Sequence, residues 1–118
     1  MNKYIIKIYA DETTYSISTP ASILEEETFD VTINNSSSDS TIHVFAASLD
    51  TVSKDHFSVD SFTAPVTINP SSSGSISLTN LDTTVSSSVP YDITLTLSTN
   101  IGTIEEVLSL LVFQNTDY

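Results

Sequence analysis

Phe29-Asp30-Val31-Thr32-Ile33 decides the fold, because its apolar residues recur at every second position. An extended chain turns successive side chains to opposite faces, so Phe29, Val31 and Ile33 share one face and Asp30 and Thr32 the other. Asn34-Asn35-Ser36-Ser37-Ser38-Asp39-Ser40 follows, a run whose short polar side chains bond nearby backbone and end strands. A hairpin into a second strand at Thr41–Ser48 is the simplest continuation. Working outward, Phe57–Val59, Val66–Ile68, Ser75–Leu78, Tyr91–Leu97 and Glu106–Gln114 carry the same texture, separated by clusters such as Asn69-Pro70-Ser71-Ser72-Ser73-Gly74. Thr13–Thr19 alternates weakly before Pro20, which suits an edge strand or an extended arm. Only Ser48–His56 and Thr103–Leu111 offer room for even a short helix. The pattern predicts an all-β fold, an antiparallel β-sandwich of seven to eight strands whose apolar faces stack about 10 Å apart.

The chain has 118 residues, enough for one domain that buries roughly two-thirds of its unfolded surface without a staple. No composition shift marks a second domain, so 1–118 is expected to be a single unit, with 1–27 an N-terminal strand plus an edge arm. The absence of cysteine excludes disulfides, zinc-thiolate sites, iron–sulfur clusters and a cysteine nucleophile. Three lysines face fifteen carboxylates, and the net charge of −12 repels phosphate backbones and anionic lipid, so neither nucleic acid nor membrane is an expected partner. Such an acidic surface also suits a salty environment, where screening relieves self-repulsion. The opening Met1–Tyr9 is too short and too interrupted by lysine to be a signal-peptide core or a membrane span. Chain ends fray unless something holds them, so both ends are expected to be strands in a sheet or to be pinned by a neighbouring molecule.

Three local features carry a resemblance over Glu27–Leu97. They are Thr28–Ser38, a strand running into a polar turn; Val66–Leu78, where a Pro/Ser/Gly turn leads into a strand; and Tyr91, which opens the Ile93-Leu95-Leu97 strand. Together they resemble the immunoglobulin-like and fibronectin-III-like modules of bacterial surface proteins and bacteriophage virions. The resemblance implies an immunoglobulin-like sandwich and makes Tyr91 similar to a tyrosine corner, whose hydroxyl bonds back to upstream backbone. The chain departs from antibody-type domains in lacking the cysteine pair and the tryptophan. Fold alone does not carry function.

Catalytic chemistry finds little purchase, and no catalytic residue is expected. Nucleophilic catalysis needs a base beside the nucleophile, and the only imidazoles are His43, on a strand face with Thr41 and Phe45, and His56, in a loop after Asp55. Both read as structural. No Gly-x-Ser-x-Gly elbow, His-Glu-x-x-His helix or glycine-rich phosphate loop occurs. Glu25-Glu26-Glu27 and Glu105-Glu106 read as solvated charge runs rather than acid–base pairs. Asp50, Asp55 and Asp60 share a loop-rich region and are hard oxygen ligands of the kind calcium takes, but their spacing matches no calcium loop, so no metal or cofactor is expected. Asn34-Asn35-Ser36 and Asn35-Ser36-Ser37 fit the N-glycosylation pattern and read as turn residues.

Tyr4–Tyr9 and Val107–Phe113 break the alternation, being apolar on both faces. Such a strand expects cover on both faces, and in a two-layer sandwich one face of each would otherwise meet water. Tyr4, Ile6, Ile8, Leu111 and Phe113 are therefore the candidate contacts with another chain. The competing expectation is that the two terminal strands, or Asp11–Ile23, cover them. The function these features imply is a non-enzymatic structural accessory of a large assembly, such as a phage virion decoration or tail-associated protein. Its partners would be other structural proteins of that assembly or further copies of itself, and its location the virion. The alternative is a cell-surface adhesive module binding carbohydrate or protein, and a third class, an enzyme, would need His43 or His56 in a cleft.

Overall fold

The structure is a computed structural model that describes residues 14–85 and 87–114. It is all-β, and nine strands lie among these residues. One sheet orders β1 (Tyr15–Ser18), β3 (Thr28–Asn35), β7 (Ser72–Asn80) and β5 (Phe57–Val59) as β1-β3-β7-β5. The other orders β2 (Ser22–Leu24), β9 (Gly102–Phe113), β8 (Ser88–Thr99), β4 (Ile42–Leu49) and β6 (Val66–Ile68) as β2-β9-β8-β4-β6. The strand that the sequence reading does not name is β2, which lies directly after Pro20 in the stretch read as an edge arm.

Alternation does what the sequence promises in the long strands. Phe29, Val31 and Ile33 of β3, Ile76 and Leu78 of β7, and Ile93, Leu95 and Leu97 of β8 are all buried, and they interleave between the sheets. Each such side chain stabilises the fold by about 1.5–3 kcal/mol through removal of apolar surface from water. Phe57 seals one end of this core, packed edge-on against Phe29 with ring centroids 6.0 Å apart and against Tyr91 at 5.2 Å.

One connection differs from expectation. The polar run after Ile33 does not close a hairpin: β3 pairs with β1 and β7, whereas β4 pairs with β6 and β8 in the opposite sheet. Asn35 causes the crossing. Its side chain is buried, its Nδ2 donates to the carbonyls of Ser40 at 2.7 Å and Ile68 at 3.1 Å, and its Oδ1 accepts from the Ser37 amide at 3.0 Å. Those bonds hold the outgoing chain against the start of β4 and the end of β6, and they bury an asparagine that the sequence reads as a turn residue. Thr103–Leu111 is strand β9 rather than helix, while Ser48–His56 does hold one helical turn, α1 (Thr51–Lys54). Asp50 caps α1 by accepting from the Ser53 amide at 3.0 Å, and the Ser53 hydroxyl accepts from the Thr94 amide at 3.1 Å, docking the turn on β8.

The arm around Pro20 divides between the sheets. β1 pairs antiparallel with β3, then Pro20 and Ala21 carry the chain across to β2, which lies parallel to the end of β9 (Ser22↔Leu111, Ile23↔Val112, Leu24↔Phe113). Tight turning at Glu26, with φ of 66°, then leads into β3, and Glu27 Oε1 accepts from the Leu24 amide at 2.7 Å. Glu25 departs from the expected solvated run. It is buried, and its Oε2 accepts from the Val85 amide at 2.8 Å, satisfying a loop donor. The first expected terminal strand, Tyr4–Tyr9 with Tyr4, Ile6 and Ile8, lies outside the described residues.

Candidate protein-interaction surface

β9 is the last strand of its hairpin with β8, closed by the two-residue turn Asn100-Ile101, with Thr99 opposite Gly102. Gly102 has φ of +115°, a left-handed conformation that a side chain would strain. From that turn, Ile104, Leu108, Leu110 and Val112 point into the core. The residues between them face outward: Val107 is 60% exposed, Leu111 38% and Phe113 39%. Leu24 of β2, paired with Phe113, adds another apolar side chain at 44% exposure. Pro90 stands opposite Leu111 and Thr94 opposite Val107 on the same outer face. A shallow hollow lined by Ala21, Pro90, Asp92, Ser109 and Leu111 runs along it, where the Ser109 hydroxyl donates to Asp92 at 2.7 Å. The structure thus leaves Leu111 and Phe113 on an apolar stripe whose outer face no described segment covers. β2 pairs with the end of the strand edge to edge, and that leaves the outer side chains bare.

Among the described residues, the outer backbone edge of β9 is only partly paired. Leu111 donates its amide to the Ala21 carbonyl at 3.0 Å and Phe113 accepts from the Glu25 amide at 3.0 Å, so odd-numbered residues present their amides and carbonyls away from β8. β2 occupies that edge only at 111–113. Among the described residues, no strand pairs with it from Thr103 to Ser109. Glu105 and Glu106 lie within this stretch, Glu105 exposed and Glu106 half-buried.

A second cluster joins three segments. His56 Nδ1 lies 2.9 Å from Asp82 Oδ1 and 3.1 Å from the Tyr91 hydroxyl, which itself donates to Asp82 Oδ2 at 2.6 Å. The Tyr91 hydroxyl therefore reaches upstream, as the resemblance to a tyrosine corner implies, but its partners are side chains and not backbone. Burial alone would raise the Asp82 carboxyl, yet the hydrogen bonds from Tyr91, His56 and Asn80 hold it below its ordinary value. Burial and the adjoining Asp82 carboxylate push the Tyr91 phenol up to about 12. In a nucleophilic triad the carboxylate and the nucleophile engage opposite ring nitrogens. Here both partners converge on Nδ1, and no serine or threonine hydroxyl among the described residues bonds the ring. The geometry is that of a clamp between the α1–β5 turn, the segment after β7 and the start of β8. Its signals in the sequence were the tyrosine position and the Asn80-Leu81-Asp82 turn, which do not reveal that His56 joins them.

His43 stacks on Phe45 with centroids 6.4 Å apart and lies 3.3 Å from the Thr67 hydroxyl, on an exposed strand face. Asp50, Asp55 and Asp60 do not converge: Asp50 caps α1, Asp55 follows it, and Asp60 accepts from the Thr79 hydroxyl at 2.8 Å. Among the described residues no group of three or more acidic or histidine side chains could hold a metal ion, and no helix is long and apolar enough to cross a membrane.

No protein-family model and no curated sequence matches the chain. Solved structures with a similar fold include the VesB protease of Vibrio cholerae, at TM-score 0.50 and 16% identity over 89% of this chain and 32% of that one. The YadV chaperone is similar at TM-score 0.50 and 14% identity, over 88% of this chain and 52% of that one. The chain therefore spans about a third and about half of these proteins, and the likeness is one of fold.

Proposed function

We propose that this chain is a non-enzymatic, immunoglobulin-like structural subunit that docks into a larger assembly, of the kind a phage virion decoration or tail-associated protein represents. The observation that carries the reading is the exposed apolar stripe Leu24, Val107, Leu111 and Phe113 beside a strand edge that no described segment pairs from Thr103 to Ser109, in a chain otherwise thick with serine, threonine and carboxylate. Contiguous exposed apolar groups on a small soluble domain mark a surface meant to be covered. Strand order supports the immunoglobulin-like part. With β1, β3, β7 and β5 as strands A, B, E and D, and β9, β8 and β4 as G, F and C, both sheets take the order of that fold; β6 extends the second sheet beyond C, although it follows D in the chain.

Density-gradient sedimentation of native source material, read by mass spectrometry, tests the proposal. Travel with megadalton particles supports it. Recovery as a free small protein, or with cell envelopes, would turn the reading to a cell-surface adhesive module.

A further inference from the structure

Among the described residues, no strand pairs with the outward backbone donors and acceptors of Thr103–Ser109 in β9, the kind of edge that proteins otherwise shorten, bend or cover. Exposed Glu105 lies on the outer face of this stretch, so an incoming strand gains a cross-strand ion pair by placing a positive charge opposite it. The chain holds one such segment. Lys3 and Lys7 are two of its three cations, residues 1–10 contain no carboxylate, and all fifteen carboxylates lie beyond them.

We propose that residues Lys3–Tyr9 of a second copy of this chain add to the open edge of β9 as an antiparallel strand, so that copies join head to tail. This rests on the reading of the chain as an assembly subunit and names the contact. One register matches charge and apolar groups on the outer face. Lys7 opposite Glu105 and Ile5 opposite Val107 place a charge pair and an apolar pair on the outer face. Tyr4 and Ile8 then stand opposite Leu108 and Ile104, continuing the core side of the sheet, with Ile6 beside half-buried Glu106. Main-chain bonds supply the affinity and the alternating side chains the register, as in other strand-addition contacts. A second copy is favoured because the cationic segment and the anionic body are separate regions of the same chain, so each copy carries both a donor and a complementary acceptor, and the arrangement propagates.

The absence of cysteine makes the test direct. Full-length Ile5→Cys and Val107→Cys chains are mixed and treated with a short bis-maleimide; Val107 is exposed, so its replacement leaves the core intact. A covalent heterodimer, formed in excess over either homodimer, is the expected result. Cross-linking only within the double variant Ile5→Cys/Val107→Cys would overturn the second-copy occupant in favour of the chain's own segment. No cross-link in either format would overturn strand addition altogether, and co-sedimentation with large particles would then still stand as a separate result for the assembly reading. In parallel, Lys7→Glu should weaken self-association roughly five- to tenfold by equilibrium sedimentation, and mixing it with Glu105→Lys should restore it. Failure of the charge exchange to restore association would contradict the register.

Discussion

Replacing Asn35 should unfasten the crossing between the two sheets. Its amide donates to the Ser40 and Ile68 carbonyls and its carbonyl accepts from the Ser37 amide, all at 2.7–3.1 Å around a buried side chain. Asn35→Ala removes the bonds to Ser40, Ile68 and Ser37, about 1 kcal/mol each, together with a longer one of 3.3 Å to the Asn69 carbonyl, and leaving the buried Ser37 amide without an acceptor adds about 1 kcal/mol more. The expected loss is about 3–5 kcal/mol, a large part of the 5–15 kcal/mol that a domain of this size has in total. At about 4 °C per kcal/mol, the melting temperature should fall by roughly 12–20 °C. Asn35→Asp keeps the shape and the acceptor but loses both donors against two carbonyls, and should be destabilised comparably at neutral pH. Urea denaturation followed by circular dichroism measures both, with an unchanged m-value showing that the same surface unfolds. Asn34→Ala is the control: Asn34 is half-buried on the outer face and, among the described residues, its side chain bonds Ser16 and Ser73, so its cost should stay within about 0.5 kcal/mol. A loss below about 1 kcal/mol for Asn35→Ala, or one equal to that of Asn34→Ala, would refute this account of the crossing.

Tyr91→Phe should cost about 1–2 kcal/mol near neutral pH, since it removes a hydrogen bond to a carboxylate. Because the Tyr91 phenol is raised from 10.0 to about 12 in the fold, its contribution is complete below pH 10 and lost as pH climbs towards 12, so the alkaline slope of stability should shrink in the variant. Asp82 is held down instead, so its contribution exists above the ordinary carboxylate range and disappears on acidification through it; Asp82→Asn should flatten the acid limb of the urea-midpoint profile. A Cβ at Gly74 would stand 2.8 Å from Ile68 Cγ1 in the core, so Gly74→Ala should cost about 1–3 kcal/mol in thermal denaturation. Leu111→Ser with Phe113→Ser should change the melting temperature little while abolishing association with large particles, read by sedimentation of the two proteins side by side.

The architecture was legible wherever a strand is long enough to alternate. Phe29–Ile33 and Ile93–Leu97 announce their buried faces, and the departure from alternation at Val107–Phe113 announces a strand that keeps apolar groups outside. Connections were less legible, because a polar run such as Asn34–Ser40 reads the same whether it closes a hairpin or crosses to the other sheet. What decides between them is the burial of one amide, Asn35, against carbonyls five and more than thirty residues away. Glu25 shows the same blindness: its neighbours Glu26 and Glu27 are exposed, whereas Glu25 is buried and accepts from the Val85 amide sixty residues on. The His56–Asp82–Tyr91 clamp likewise exists only once three distant segments meet. Of the candidate interface, Leu111 and Phe113 were readable from the pattern, whereas the open edge beside them required the knowledge that β2 covers just three residues of β9.

Amide hydrogen exchange along β9 across a range of protein concentrations tests the central claim most directly. The amides of Glu105, Val107 and Ser109 should exchange quickly in dilute protein while those of Ile104, Leu108 and Leu110, bonded to β8, stay protected, and the first set should become protected as copies associate. Protection of Glu105, Val107 and Ser109 already in the dilute monomer, or their free exchange at every concentration, would contradict the claim that this edge is where the chain is joined.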